Sequence, residues 1–118
     1  LTVRENLAYA AALAGVEPRT DGIASALNAF GVKSLINRRF GTLSQGQRKR
    51  SSLARLLLDP HRGRRAWLLD EPFVALDVDT QAQLAAVISA ELAAGGLVVY
   101  TSHQSVEINA ANVQEVVL

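Results

Sequence analysis

The sequence predicts an α/β fold: a helical first half followed by a partial parallel sheet with helices. Three observations carry that reading. Apolar residues recur at helical spacing as far as Leu57, and each stretch is bounded by a capping or stopping signal. The period changes at Ala66, where short continuous apolar runs begin. Those runs alternate with helical stretches, and the order strand, helix, strand, helix, strand implies parallel pairing with right-handed crossovers.

The elements follow in order. Thr2 to Glu5 has the Thr-x-x-Glu form of a capping box, opening a helix through "RENLAYAAALA" that Gly15 can end. After the "EPRTDG" turn, Ile23, Ala26, Leu27 and Phe30 fall on one helical face, and Gly31 stops it. Ser44 and Gln47 form a second capping box, and Leu53, Leu56 and Leu57 stripe the helix that follows. "AWLL", residues 66 to 69, reads as a strand covered on both faces. Thr80 is placed to cap a helix carrying Leu84, Val87, Ile88 and Leu92, which Gly95 and Gly96 end. "LVVYT" gives a second buried strand, Ser105 to Ala111 a short helix, and "VQEVVL" a last strand.

At 118 residues the chain is one domain or part of one, long enough to bury a core. About half of it is apolar, the composition of a globular protein. It has no cysteine, which excludes disulfides and thiolate metal sites and fits a reducing compartment. The apolar runs are far too short to span a bilayer, so a soluble chain is expected. Leu1 in place of Met points to a chain that continues upstream.

Charge is lopsided although the net value is only +1. Residues 1 to 65 hold all twelve Lys and Arg against four acids, a balance of +8, and residues 66 to 118 hold seven acids and no base, a balance of −7. A basic half can be a phosphate footprint. It holds only Tyr9, Phe30 and Phe40 as aromatics and no nucleic-acid-binding module, so solvated helix faces or a partner surface explain it better.

Chemistry gathers at two places. "LLDE" ends an apolar strand in Asp70 and Glu71, and ligands of parallel sheets gather at the carboxyl ends of strands. One carboxylate there can hold Mg²⁺ through water while its neighbour orients or deprotonates a water attacking a phosphoryl group. His103 follows the next strand. At Ser44, a helix start offers free N–H groups and a hydroxyl, and Gly46 permits close approach of an anion. Each feature alone has a plain structural explanation: a solvated loop, a satisfied histidine, an N-cap. Their order and spacing do not.

"LSQGQRKRSSLARLLL" resembles the signature helix of ABC-transporter ATP-binding subunits, "AWLLDEPFVALD" their Walker B strand and D-loop, and "VVYTSHQ" their switch-histidine strand. The resemblance implies the C-terminal part of a P-loop NTPase: a helical signature subdomain over residues 1–60, then the Walker B and switch-histidine part of the catalytic core over 61–118. It implies ATP and Mg²⁺ as ligands, with Asp70 serving Mg²⁺ through water, Glu71 the attacking water, His103 the γ-phosphate and Asp77 the D-loop that runs between two copies. Ser44, Gly46 and Gln47 would close over ATP held by a second copy of the subunit. Gln45 departs from the pattern, which has a small residue there.

Within the family, "LTVRENLAYAAALAGV", "LARLLL", "LDEPFVALD" and Gln104 after the switch histidine resemble the ATP-binding subunits of cytochrome c biogenesis haem exporters. That likeness implies a homodimeric ATPase on the cytoplasmic face of the bacterial inner membrane, bound to integral membrane permease subunits, with no nucleic-acid partner.

A phosphate-binding loop is missing. "GTLSQGQR" has Gly41 and Gly46 at the spacing of Gly-x-x-x-x-Gly-Lys-Ser/Thr, but Gln47 and Arg48 replace the lysine and hydroxyl, and no apolar strand precedes it. The Walker A loop, an adenine-stacking aromatic and the Q-loop glutamine are expected before Leu1, which makes the isolated fragment inactive. The competing reading is a non-catalytic helical module that binds a protein or nucleic acid through its basic half.

Overall fold

The computed structural model describes residues 1–18, 21–58, 66–104, 108 and 113–116. Helices α1 (Val3–Leu13), α2 (Gly22–Ala29) and α3 (Gln45–Leu53) fill the first half, with 3₁₀ segments at Lys33–Leu35, Phe40–Thr42 and Ala54–Leu57. Strand β1 (Ala66–Leu69), helix α4 (Val78–Ala93) and strand β2 (Leu97–Tyr100) follow.

The start of α1 is tied down twice. Thr2 caps it as expected, its hydroxyl accepting the Glu5 N–H at 3.1 Å and donating to the Glu5 carboxylate at 3.0 Å. The next two orphan amides, of Val3 and Arg4, donate to the carbonyls of Arg38 and Ile36 at 2.9 Å each. Phe40 N–H reaches the Leu1 carbonyl at 2.9 Å, so the chain start pins the loop that leads into α3.

Gly15, Gly31 and Gly95 end α1, α2 and α4, with φ of 74°, 70° and 97°. After α1, Val16 N–H returns to the Ala11 carbonyl and Gly15 N–H to that of Ala12, the paired bonds of a Schellman motif. The stripe over Leu53, Leu56 and Leu57 is present, but the α-helix tightens to 3₁₀ at Ala54, which leaves Leu57 only partly buried.

One continuous core joins the halves. Leu7 of α1, Leu27 of α2, Leu53 and Leu56 of the α3 region, Trp67 of β1, Phe73 beyond it, and Leu84 and Ile88 of α4 all belong to it. Fully burying a Leu, Ile or Phe side chain stabilises by about 1.5–3 kcal/mol.

Two expectations are corrected and one is met only in part. Asp77, and not Thr80, is the N-cap of α4: its carboxylate accepts the Thr80 N–H at 2.7 Å, which places Thr80 inside the first turn. β1 and β2 pair in parallel, Ala66 with Leu97 through Leu69 with Tyr100, but the described residues cover only one sheet face. Trp67 is buried, while Leu68, Leu97 and Val99 are 75%, 60% and 53% exposed, because the described helices pack on the other side. The last strand is not formed over residues 113–116, which are exposed and pair with neither β1 nor β2. Residues 117–118 and nearly all of the short helix expected at Ser105–Ala111 lie outside the described residues.

Candidate functional site

The parallel register brings the ends of β1 and β2 level, and Thr101 N–H extends the ladder by bonding the Leu69 carbonyl at 3.1 Å. The Thr101 hydroxyl then joins the two carboxylate residues. It donates to Asp70 Oδ1 at 2.8 Å and accepts the Glu71 N–H at 2.8 Å. Glu71 has φ of +44°, in the left-handed region that costs an L-residue roughly 1–2 kcal/mol. Its carbonyl accepts from Lys49 Nζ on α3 at 3.0 Å and from Val74 N–H at 3.2 Å. Its carboxylate lies 2.6 Å from His103 Nε2, with the His103 side chain 89% exposed and that of Glu71 37%. Asp70, Glu71 and His103 therefore form one group open to solvent.

The turn after Glu71 is held by side-chain amides. The Phe73 carbonyl accepts from Gln104 Nε2 at 3.4 Å and Gln81 Nε2 at 3.5 Å, and Gln81 also reaches the Leu76 carbonyl at 3.3 Å. Phe73 itself is buried and meets Tyr100 edge to face, with ring centroids 5.5 Å apart. Ala75 has φ of +62°, so both non-glycine residues with positive φ among the described residues flank this turn. Asp77 closes it. The Thr80 hydroxyl, then the Thr80 backbone N–H and more weakly Arg50 hold its carboxyl below the usual carboxylate range.

Ser44, Gly46 and Gln47 lie at the start of α3, apart from the carboxylate group. Both bonds of the capping box form: Ser44 N–H to Gln47 Oε1 at 3.0 Å and Gln47 N–H to Ser44 Oγ at 3.2 Å. The box leaves the Ser44 hydroxyl hydrogen free to donate outward, and the Gln45 and Gly46 amides make no backbone bond among the described residues. A Cβ added at Gly46 would meet only the Ala75 carbonyl, at an ordinary 3.8 Å. Nothing within the described residues thus requires glycine at 46, although glycine weakens a helix.

The model of the ABC transporter family matches residues 1–74. The chain belongs to the ABC transporter family. It is 46% identical, over 97% of its length, to a "Cytochrome c biogenesis ATP-binding export protein CcmA" of Albidiferax ferrireducens, and 40% identical over its whole length to the protein of that name from Nitrosomonas europaea. It spans 53% and 54% of those two relatives. Among solved structures it resembles a Pyrococcus furiosus ABC transporter ATP-binding protein, with TM-score 0.74 and 28% identity over 93% of this chain and 54% of that one. The α/β fold with a small parallel sheet is therefore that of part of an ABC ATPase domain.

Seen as an ABC domain, the chain brings together Asp70, Glu71 and His103 and ties α3 to the Glu71 carbonyl through Lys49. Sequence reasoning missed Thr101 and Lys49. Each is an unremarked Thr or Lys in its own stretch, and only the 30- and 22-residue separations closed by the fold reveal them. It marked Gln104 as a subgroup feature but missed its bond to the Phe73 carbonyl.

The residues present fit Mg²⁺ as a partly hydrated ion. Among the described residues no group of three or more His, Cys, Asp or Glu is placed to cage a metal. Mg²⁺ needs no such cage, since one or two carboxylates with phosphate oxygens and waters suffice, and exposed Asp70 still has its Oδ2 to offer.

Proposed function

We propose that the full-length protein is the ATP-binding subunit of an ABC exporter serving cytochrome c biogenesis, with haem as the exported compound, and that it hydrolyses ATP with Mg²⁺. The observation that carries the reading is the union of Asp70, Glu71 and His103 at the carboxyl ends of two parallel strands, the first two through one Thr101 hydroxyl and His103 through the Glu71 carboxylate. Asp70 would hold Mg²⁺ through water. Glu71 takes the proton of the attacking water, and His103 meets the γ-phosphate and keeps the Glu71 carboxylate aimed. Bound Mg²⁺ supplies charge neutralisation at the phosphates.

Ser44 presents a hydroxyl, Gly46 a free amide and a side-chain-free surface, and Gln47 its side-chain Nε2 to the ATP held by a second copy of the subunit. Asp77 shapes the D-loop between the copies. Residues 1–60 form the signature subdomain and 61–118 the Walker B and switch-histidine part of the core. The protein sits peripherally on integral permease subunits at the cytoplasmic face of the bacterial inner membrane, without nucleic acid. No described helix is long and apolar enough to cross a membrane.

The sequence has no Gly-x-x-x-x-Gly-Lys-Ser/Thr loop, so the 118-residue chain alone is expected to bind ATP weakly or not at all. Calorimetric titration of ATP with Mg²⁺ into this chain and into the full-length protein tests both statements. Tight, Mg²⁺-dependent binding by the full-length protein alone is the expected result; equal binding by the short chain would mean that the phosphate site has been misplaced.

A further inference from the structure

The geometry points to Lys49 and Thr101 as a two-sided clamp on the Glu71 backbone, which makes both of them positioning residues for the carboxylate. The inference rests on the proposed ATPase reading. Glu71 stands at φ of +44°, a conformation an L-residue leaves unless its surroundings hold it. On one side the Thr101 hydroxyl accepts its N–H at 2.8 Å; on the other, Lys49 Nζ donates to its carbonyl at 3.0 Å. With the peptide groups before and after it both held, Glu71 cannot change its φ or ψ without straining one of these bonds.

The two jaws come from different parts of the fold. Thr101 follows β2 and, being β-branched, has a stiff χ1, so its hydroxyl stays aimed while it also donates to Asp70 Oδ1 at 2.8 Å. One oxygen thereby sets the spacing of the two acidic residues. Lys49 sits on α3, the helix that Ser44 opens, and is partly buried. A charged donor to a carbonyl makes a stronger bond than a neutral one. Movement of α3 upon anion contact at Ser44 would be carried directly to the Glu71 backbone, so the signature helix and the base of the same chain are mechanically joined.

The test uses the full-length protein with Thr101→Val, Thr101→Ser, Lys49→Met and wild type. Valine keeps the shape and strand preference of threonine without the hydroxyl; serine keeps the hydroxyl. Without nucleotide, hydrogen exchange of the Glu71 amide relative to the β1 amides of Trp67 and Leu69 reads the clamp. It should quicken about tenfold or more in Thr101→Val and remain near wild type in Thr101→Ser. With ATP and Mg²⁺, kcat should fall about tenfold in Thr101→Val and Lys49→Met with KM for ATP little changed, and serine should restore it to within about threefold. Unchanged Glu71 exchange in Thr101→Val, or an unchanged kcat in both apolar variants, overturns the clamp. Absence of Mg²⁺-dependent turnover in wild type would overturn the ATPase reading instead, and the exchange measurement would still decide whether the clamp exists.

Discussion

At the Ser44 turn the hydrogen bonds span three or four residues, whereas those that join Glu71 and Asp70 to Lys49 and Thr101 span 22, 30 and 31. Both regions present polar groups outward, yet the first is assembled by a helix start and the second by the whole fold. A capping box forms wherever its four residues meet a helix. The strand end needs the parallel register, the packing of Phe73 against Tyr100 and the approach of α3. Damage to the core should therefore disorganise the carboxylates while the Ser44 turn keeps its local bonds.

The comparison can be broken most forcefully at Phe73. Phe73→Ala should destabilise the full-length protein by about 3–5 kcal/mol in urea unfolding and abolish ATP turnover, because it removes a buried ring from beneath the Glu71 turn. A mild stability loss with turnover intact would show that the strand end does not depend on this packing.

Ser44 separates local stability from contact with a partner. Ser44→Ala should cost about 0.5–2 kcal/mol, the value of an N-cap, whereas Ser44→Arg should lose the cap and also stop turnover by placing bulk where a phosphate approaches. Steady-state ATPase assays beside urea titrations distinguish the two; full turnover in Ser44→Arg would remove Ser44 from the phosphate contact.

Gly46 is expected to move stability and activity in opposite directions. Gly46→Ala should stabilise by up to about 1 kcal/mol, since alanine is the better helix former and the added Cβ finds ordinary contact at 3.8 Å, yet it should slow turnover. Equal or faster turnover in the stabilised variant would mean that nothing outside the chain approaches position 46.

The smallest effect concerns acid. The Asp77 carboxyl is held below its ordinary value of 3.8 by Thr80, so its contribution to folding is present above that value and is lost as pH falls through the lower folded one. Compared with Asp77→Asn, the wild type should lose additional stability below about pH 4. Parallel acid-unfolding curves for the two proteins would show that the α4 cap does not respond to this carboxyl.

The same contrast explains what could be read before the fold was known. The Ser44 box, the Thr2 cap, the α2 face of Ile23, Ala26, Leu27 and Phe30, and the glycine stops were legible because each is decided within a few residues; the Thr2 box itself stays half-formed, since Glu5 accepts from the Thr2 hydroxyl and not from its backbone N–H. So were Asp70, Glu71 and His103, since a strand end announces itself by an apolar run. The α4 cap was misread because Asp77 and Thr80 are both good capping residues three apart, and sequence alone did not say which stands outside the helix. The open sheet face was legible in part: continuous apolar strands call for cover on both faces, and the helices in the sequence can supply only part of it, in keeping with exposed Leu68, Leu97 and Val99. Lys49 and Thr101 needed the register of two strands and the docking of a helix, which no local pattern contains.

The central claim is that the strand-end carboxylate of Glu71 performs chemistry on a nucleotide that other groups hold. Glu71→Gln in the full-length protein tests it most directly, since it keeps the shape and removes the base. ATP with Mg²⁺ should bind as in the wild type while single-turnover hydrolysis slows by about 10²–10⁴-fold. Hydrolysis near the wild-type rate, or loss of ATP binding together with hydrolysis, would contradict the account.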